Sequence, residues 1–525
     1  MSLPREREEG PVEYKLKLTA SSRERMEELA SQLRYRLAEK GGEAIYLLGV
    51  TDEGELAGLS EDELKISLEN LRKIAEIAGA KISVVREAEG KKGKILEVLV
   101  RRSKGDFPAQ VTVVAAGHAD HGKTTTIGVL VTGDLDDGDG AIMARMVRHK
   151  HEIEMRRTSS VTEKLLGFDD EGRPVNYVLD SPLDEAKVFL NSAKIVSFVD
   201  IGGHERYLRT AARGLLSHSP DYGMLVVAAN AGISVMTKEH LGILVSFRIP
   251  VFVVITKVDI APREKVEKVL ESVARLLKTP GVSKIPMLVK DRDDAALAAR
   301  SMLGGRLAPI FLVSNRYGDG LDLLRYFLNL LPPRLRWREQ QREPFLLYID
   351  EKFNVPGVGV VVSGLVLRGK VRADDHVLMG PFRDGSFRAV KVRSIQVRKG
   401  VFAEEVYAGT SAAFAVSNVG YDEIEKGMVL LDKGAQPRAV RRIEAEVFVL
   451  HHPTTIRPGY ECVFHIHSIR EPGKILSISR GVLRTGDRDR VIIEFFRRPI
   501  YVMEGQRFLF REARTRGVGL VTKIL

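Results

Sequence analysis

The octapeptide GHADHGKT, Gly117 to Thr124, stands directly behind the apolar run QVTVVAA and ahead of TTIGVLV. An apolar run that halts at G-x-x-x-x-G-K-[ST] and restarts at helical spacing leaves little choice of architecture. A strand must deliver a loop whose N–H groups turn inward on an anion, with a helix N-terminus behind it. Gly117 and Gly122 let the backbone wrap closely, and Ala119, Asp120, His121 and Thr125 belong to the same wrap. Lys123 supplies a point charge to β- and γ-phosphate oxygens, and Thr124 offers a hydroxyl to Mg²⁺.

Further elements follow in the order that a nucleotide site needs. The strand KIVSFVD ends on Asp200, placed to hold Mg²⁺ through water, and GGH then sets the Gly203 N–H near a γ-phosphate. VITKVD ends another strand, and here the base is chosen. Asp259 accepts from both guanine N1–H and the exocyclic amine, a pair of donors that adenine lacks. Lys257 lies along the base, Thr256 donates to N7, and Ser314 and Asn315 of FLVSN surround O6 with Arg316 beside them. The expected ligands are therefore GTP and GDP with Mg²⁺. His204 is the catalytic candidate, because P-loop GTPases need a polar side chain after this glycine to orient the attacking water. A further hydroxyl for Mg²⁺ comes from EMRRTSSV, as Thr158 or Ser159, ordered around a γ-phosphate; the sequence does not separate the two.

The rest of the chain arranges itself around this site. With 525 residues it is too long for one core, and the expected fold is multidomain. An N-terminal α/β domain is expected over 1–108, where VEYKLKL, GEAIYLLGV, AKISVVRE and KILEVLVRR read as strands. Capping-box spacings at Ser21–Glu24 and Ser60–Glu63 open two helices. An α/β P-loop GTPase domain, 109–335, holds the buried strands QVTVVAA, KIVSFVD, YGMLVVAA, PVFVVIT and PIFLVS with helices between them, the pattern of a covered parallel sheet. Short alternating segments broken by Gly and Asp then indicate two β-barrels, 340–437 and 438–525, joined near DKGAQPRAVRR.

Composition adds partners and exclusions. The 81 basic against 70 acidic residues give a net charge of +11, which favours a polyanionic partner, nucleic acid first. The single cysteine, Cys462, excludes an internal disulfide, and the charged MSLPREREEG lacks the apolar centre of a secretory signal. A cytoplasmic monomer without a membrane segment is expected. His451, His452, His465 and His467 read as barrel histidines rather than a zinc site, since no carboxylate stands at clear spacing.

With GHADHGKT, DIGGH and TKVD followed by two barrels, the chain resembles translational GTPases of the elongation factor Tu/1-alpha type. GVGVVVSGLVLRGKV and GQRFLFREARTRGVGLVTKIL are similar to their barrel signatures. Within that superfamily it resembles an archaeal-like member of the GTP-binding protein 1 and 2 family, through VRHKHEIEMRRTSSV, GLSEDE, NAGISVMTKEHLG, VLHHPTTIRPGY and LRTGD. The resemblance implies a factor that engages tRNA, including aminoacyl-tRNA, and the ribosome, and hydrolyses GTP on ribosome activation. It maps contacts with the tRNA 5′ end onto Arg209, Thr210 and Lys426.

Departures from the pattern keep alternatives open. Gly202 replaces a proline, Ala119 replaces a valine, and the isoleucine expected before the metal-binding threonine is missing from RRTSS. The strand KVRSIQVRKGVF carries no acid near Val397, where carriers place a glutamate under the tRNA 3′ adenosine. A ribosome-rescue or mRNA-surveillance GTPase that delivers a protein factor, with decay or rescue factors as partners, therefore stands as the alternative. A metabolic GTPase of the sulfate-activation type stands behind it.

Overall fold

The computed structural model describes residues 3, 12–19, 22–39, 42–103, 107–146, 162–201, 217–335, 337–512 and 515–525. The N-terminal part forms a four-stranded sheet of β1 (Val12–Lys15), β2 (Glu43–Leu48), β3 (Ala80–Glu89) and β4 (Lys94–Arg102) in the order β1-β2-β4-β3. Alternation along β2 and β4 sends Tyr46, Leu48, Val98 and Val100 to one face, where they bury Leu33, Leu37, Leu71 and Ile74 of α1 (Arg23–Glu39) and α2 (Glu61–Ile77). The helix α2 opens on a full capping box: Ser60 Oγ accepts from the Glu63 N–H, and the Glu63 carboxylate accepts from the Ser60 N–H at 3.1 Å. Helix α1 is capped one residue later than expected. Ser22 Oγ accepts from the Arg25 N–H at 3.2 Å, while Ser21 lies outside the described residues. Ser22 has arginine, not glutamate, three residues on, so it caps by its hydroxyl alone, and the local turn overrides the box spacing at Ser21.

The nucleotide-type domain is built on seven strands: β5 (Ala109–Gly117), β6 (Thr162–Phe168), β7 (Lys194–Asp200), β8 (Tyr222–Ala228), β9 (Val251–Thr256), β10 (Ile285–Leu288) and β11 (Leu307–Leu312). Their order is β10-β11-β9-β8-β5-β7-β6. All neighbours are parallel except β6, which runs antiparallel to β7 at the edge. The edge strands β6 and β10 were not among the expected strands. A four-residue IPML segment with a proline, and TEKLLGF with its charged start, lack the continuous apolar run that marks a central strand.

The uncovered face of the N-terminal sheet packs on this domain through a buried ion network. Arg101 Nε donates to Glu43 at 2.7 Å, and Lys194 Nζ donates to the other Glu43 oxygen at 3.0 Å. Lys194 also donates to the carbonyls of Asn329 and Leu331 at 2.7 and 2.6 Å, and Arg101 reaches Asn329 Oδ1 at 2.8 Å. Burial pushes the Lys194 ammonium down to about 8, with Glu43 working against that shift. Burial would raise the Glu43 carboxyl, but Lys194 and Arg101 overcome it and hold the group below its ordinary value.

Two β-barrels follow. In the first, Leu346–Tyr348 pairs with both Val429–Asp432 and Gly359–Arg368, which closes the ring. The second closes in the order Arg442–His451, Arg488–Phe495, Ile469–Ile478, Glu461–Ile466, Arg507–Glu512, Thr515–Ile524. The first barrel shares a core with Leu165, Val188, Phe189 and Ile195 of the nucleotide-type domain. The second packs Leu509 against that domain, and Arg516 pairs with Glu239. The barrel histidines are dispersed. His452 Nδ1 meets Thr515 Oγ1 at 2.6 Å, His467 stacks on Tyr348, and His465 is buried. Among the described residues no group of three metal-ligating side chains occurs, and no helix is long and apolar enough to cross a membrane.

The ion network generates a stability prediction. Glu43→Gln leaves Lys194 and Arg101 buried without their counter-charge, a change that costs about 3–5 kcal/mol in buried ion pairs. Urea unfolding should show this loss, with earlier proteolysis of the N-terminal sheet. An unchanged midpoint would contradict the buried network.

Candidate functional site

Parallel strands bring their carboxyl ends to one edge, and the site lies there. Pairing of β5 with β7 sets Ala115 opposite Asp200, so the loop leaving β5 starts two residues beyond the carboxylate that ends β7. Gly117 is required at the loop's first position. Its φ is 139°, and a Cβ there would lie 2.3 Å from the Val226 carbonyl oxygen. The loop closes on Gly122, in the left-handed region at φ 84°, which leads into α3 (Lys123–Thr132).

Two contacts define the phosphate end. Thr124 Oγ1 donates to Asp200 Oδ2 at 2.5 Å, with both side chains buried. Lys123 folds back over its own loop and donates to the carbonyls of Gly117 and His118 at 3.2 and 2.8 Å. Burial lowers the Lys123 pKa, opposed by Asp200 and Asp120. A buried ammonium resting on two carbonyls favours an anion that would give it a full counter-charge. The hydroxyl and carboxylate of Thr124 and Asp200 form the hard-oxygen donor set that suits Mg²⁺.

A cavity of about 300 Å³ runs from this end to the base end. Ala119, Asp120, Gly122, Lys123, Thr124 and Thr125 line it on one side, and Lys257, Asp259, Asn315 and Arg316 on the other. Lys257 Nζ donates to the Asp120 carbonyl at 2.8 Å, tying the two ends together. Asn315 Nδ2 donates to Thr126 Oγ1 at 3.0 Å, which turns its amide toward α3.

Thr256 and Ser314 are engaged by neighbouring loops. Thr256 is fully buried, and its hydroxyl donates to the His121 carbonyl at 2.7 Å, so it braces the loop. Ser314 is equally buried and caps the next turn, accepting from the Tyr317 N–H at 3.1 Å. Neither lines the cavity. His121 is buried as well, and burial pushes its pKa down to about 4, which keeps the ring neutral. Gly203, His204, Thr158, Ser159, Arg209 and Thr210 lie outside the described residues. Lys426 stands on the first barrel, paired with Glu351, away from the cavity lining.

One buried partner of the loop was not anticipated. His240, on α6 (Val235–Ser246, counting α4 as Ala141–Met146 and α5 as Glu185–Asn191), accepts from the Gly117 N–H at Nδ1, 2.9 Å away. Burial pushes its pKa down to about 3, so the ring is neutral and keeps that acceptor. In the sequence it is a single histidine in TKEHLG, indistinguishable from a surface residue on a helix.

Comparison with known proteins agrees with this geometry. The family model of the elongation factor Tu GTP binding domain matches residues 109–333, that of elongation factor Tu domain 2 matches 359–431, and that of the C-terminal domain matches 436–525. GTP-binding protein 1 of Xenopus laevis is 44% identical over 517 residues, covering 98% of this chain and 79% of its own length. GTP-binding protein 2 of Homo sapiens is 39% identical over 533 residues, covering 99% of this chain and 88% of its own length. Among solved structures, translation elongation factor SelB from Methanococcus maripaludis with the GTP analogue GppNHp aligns over 80% of each chain with a TM-score of 0.56 and 20% identity. A bacterial selenocysteine-specific elongation factor aligns at a TM-score of 0.55 and 22% identity, over 78% of this chain and 58% of its own. At those identities the structures show the shared fold alone.

The buried histidines predict a pH response. His121 and His240 have folded-state pKa values of about 4 and about 3, below their ordinary 6.5. Between pH 6.5 and 4 the unfolded chain therefore binds more protons, and stability falls as pH falls. His240→Asn preserves an acceptor for the Gly117 N–H and removes one titration. Its urea midpoint should fall less steeply than the wild type's between pH 6.5 and 4.5. Equal slopes would show that His240 is not held neutral.

Proposed function

The chain belongs to the GTP-binding protein 1 and 2 family of elongation factor Tu-type GTPases, and from that premise we propose a GTP- and Mg²⁺-dependent translational GTPase that carries aminoacyl-tRNA to the ribosome. The observation that carries the nucleotide part is the Thr124–Asp200 contact beside buried Lys123, at one end of a cavity whose other end presents Asp259. Asp259 selects guanine through its two acceptor oxygens, while Lys257, Asn315 and Arg316 frame the base. Gly122 and its neighbours Ala119, Asp120, His121 and Thr125 present backbone donors to the phosphates, and Lys123 balances charge that grows on them in the transition state. Thr124 and Asp200 would hold Mg²⁺, with Thr158 or Ser159 as a further ligand, and the ion would supply positive charge beside the phosphates. His204 orients a water for in-line attack on the γ-phosphorus, with the Gly203 N–H beside it, which releases GDP and phosphate. In this reading intrinsic turnover is slow and the ribosome accelerates it.

Division of labour follows the units 1–108, 109–335, 340–437 and 438–525. The net charge of +11 and the barrels support a tRNA partner, with Arg209, Thr210 and Lys426 facing the 5′ end. The working form is a cytoplasmic monomer. One observation favours a second reading, delivery of a protein factor in ribosome rescue or mRNA surveillance. The strand Arg388–Arg398 carries no carboxylate, and Val397 is buried in the barrel core.

Binding of charged and uncharged tRNA to the GTP-loaded chain decides between them. The tRNA reading expects aminoacyl-tRNA to bind more tightly than deacylated tRNA, and Lys426→Glu to weaken it about tenfold through lost phosphate attraction. Indifference to the amino acid would favour the protein-carrier reading. Separately, Asp259→Asn replaces an acceptor oxygen by a donor, so GDP affinity should drop about 100-fold and xanthosine diphosphate should gain. Unchanged GDP affinity would remove Asp259 from the base site.

A further inference from the structure

One wall of the nucleotide cavity has no task in the reading above. After α3 the chain turns through GDLDDGDG, Gly133 to Gly140, into α4, and Asp136, Gly138, Asp139, Gly140 and Met143 line the cavity. Most acids of this turn are engaged in building it. Asp134 pairs with Arg145 at 2.6 Å. Asp136 accepts from the Gly138 N–H at 3.1 Å and the Ile142 N–H at 3.3 Å. Asp137 Oδ1 gathers the N–H groups of Asp139, Gly140 and Ala141 at 2.8, 3.0 and 3.2 Å. Those bonds, that from Ala141 foremost, hold the Asp137 carboxyl below its ordinary range.

Asp139 is different. Its backbone is held by Asp137, the residue lines the cavity at its solvent-exposed rim, and among the described residues no hydrogen bond or ion pair engages its carboxylate. The turn is fixed relative to the base end. The Asp136 N–H donates to the Asn315 carbonyl at 2.9 Å, and Arg316 Nη1 would lie 3.6 Å from a Cβ on Gly138. Asp139 is thus an exposed acceptor at the cavity rim, on a turn anchored to the residues that frame the base.

A nucleotide with phosphates on the Lys123 loop and its base at Asp259 spans this wall with its sugar. A carboxylate close to phosphates would be repelled, but the sugar offers donors, the ribose hydroxyls. We propose that the Asp139 carboxylate accepts hydrogen bonds from the ribose hydroxyls and makes this site discriminate ribonucleotides from deoxyribonucleotides. The inference rests on the guanine-nucleotide reading of the cavity.

Calorimetric titration of the nucleotide-free full chain with GDP, 2′-deoxy-GDP and 3′-deoxy-GDP tests it, using wild type, Asp139→Ala and Asp139→Asn. Wild type should bind GDP about tenfold more tightly than at least one deoxy analogue, as expected for a hydrogen bond to a charged acceptor. Asp139→Ala should bring GDP down to the deoxy level without weakening the deoxy analogue, and Asp139→Asn should retain part of the preference. A wild type that does not distinguish the three, an alanine variant that keeps the preference, or equal weakening of all three would overturn the assignment. Failure of wild type to bind any of them would instead overturn the guanine reading beneath it.

Discussion

The hydrogen bond between Thr124 and Asp200 depends on a single register. Strands β5 and β7 lie side by side and parallel, so the residue that ends one is beside the loop that leaves the other. Strands β9 and β11 end at the same edge, which brings Lys257 and Asp259 after one and Asn315 after the other to the same cavity. The groups at the ends of these strands therefore follow from strand direction, and a one-residue slip of β7 would put Asp200 on the opposite face. Such a slip would also draw Lys194 away from Glu43 in the buried ion network, which makes it costly.

The same strand carries a second constraint at its other end. Lys194 begins β7 inside the ion network with Glu43 and Arg101, and Asp200 finishes it at the phosphate end. Docking of the N-terminal sheet and placement of the Asp200 carboxylate are thus fixed on one element. The loop itself is held from two further directions, by the Thr256 hydroxyl on the His121 carbonyl and by His240 on the Gly117 N–H. His240 shares its helix with Glu239, the partner of Arg516, so the second barrel and the loop are braced by neighbouring residues.

Much of this is legible in the sequence. The motif GHADHGKT behind a continuous apolar strand dictates the strand–loop–helix, and the apolar runs ending at Asp200, Thr256 and Leu312 give the central strands of the sheet. What escaped was decided by packing. A threonine after a strand reads alike whether its hydroxyl turns to a base or to a neighbouring loop, and Thr256 turns to the loop. His240 has no periodic signature, because a single polar residue on a helix gains meaning only from what faces it. The wall from Asp136 to Met143 reads as a polar turn, and only the fold brings it against Asn315. Edge strand β10 has four residues and a proline, and β6 begins on charged residues, so neither shows the continuous apolar run of its central neighbours.

The most direct measurement is the affinity of the purified, nucleotide-free chain for GDP and for ADP, each with Mg²⁺ and with excess EDTA. A carboxylate at 259 that reads the guanine edge and a Thr124–Asp200 pair that holds the ion predict GDP binding at least about 100-fold tighter than ADP, weakened when Mg²⁺ is withdrawn. Equal affinity for the two purines, or GDP binding indifferent to Mg²⁺, would contradict the assignment of this cavity.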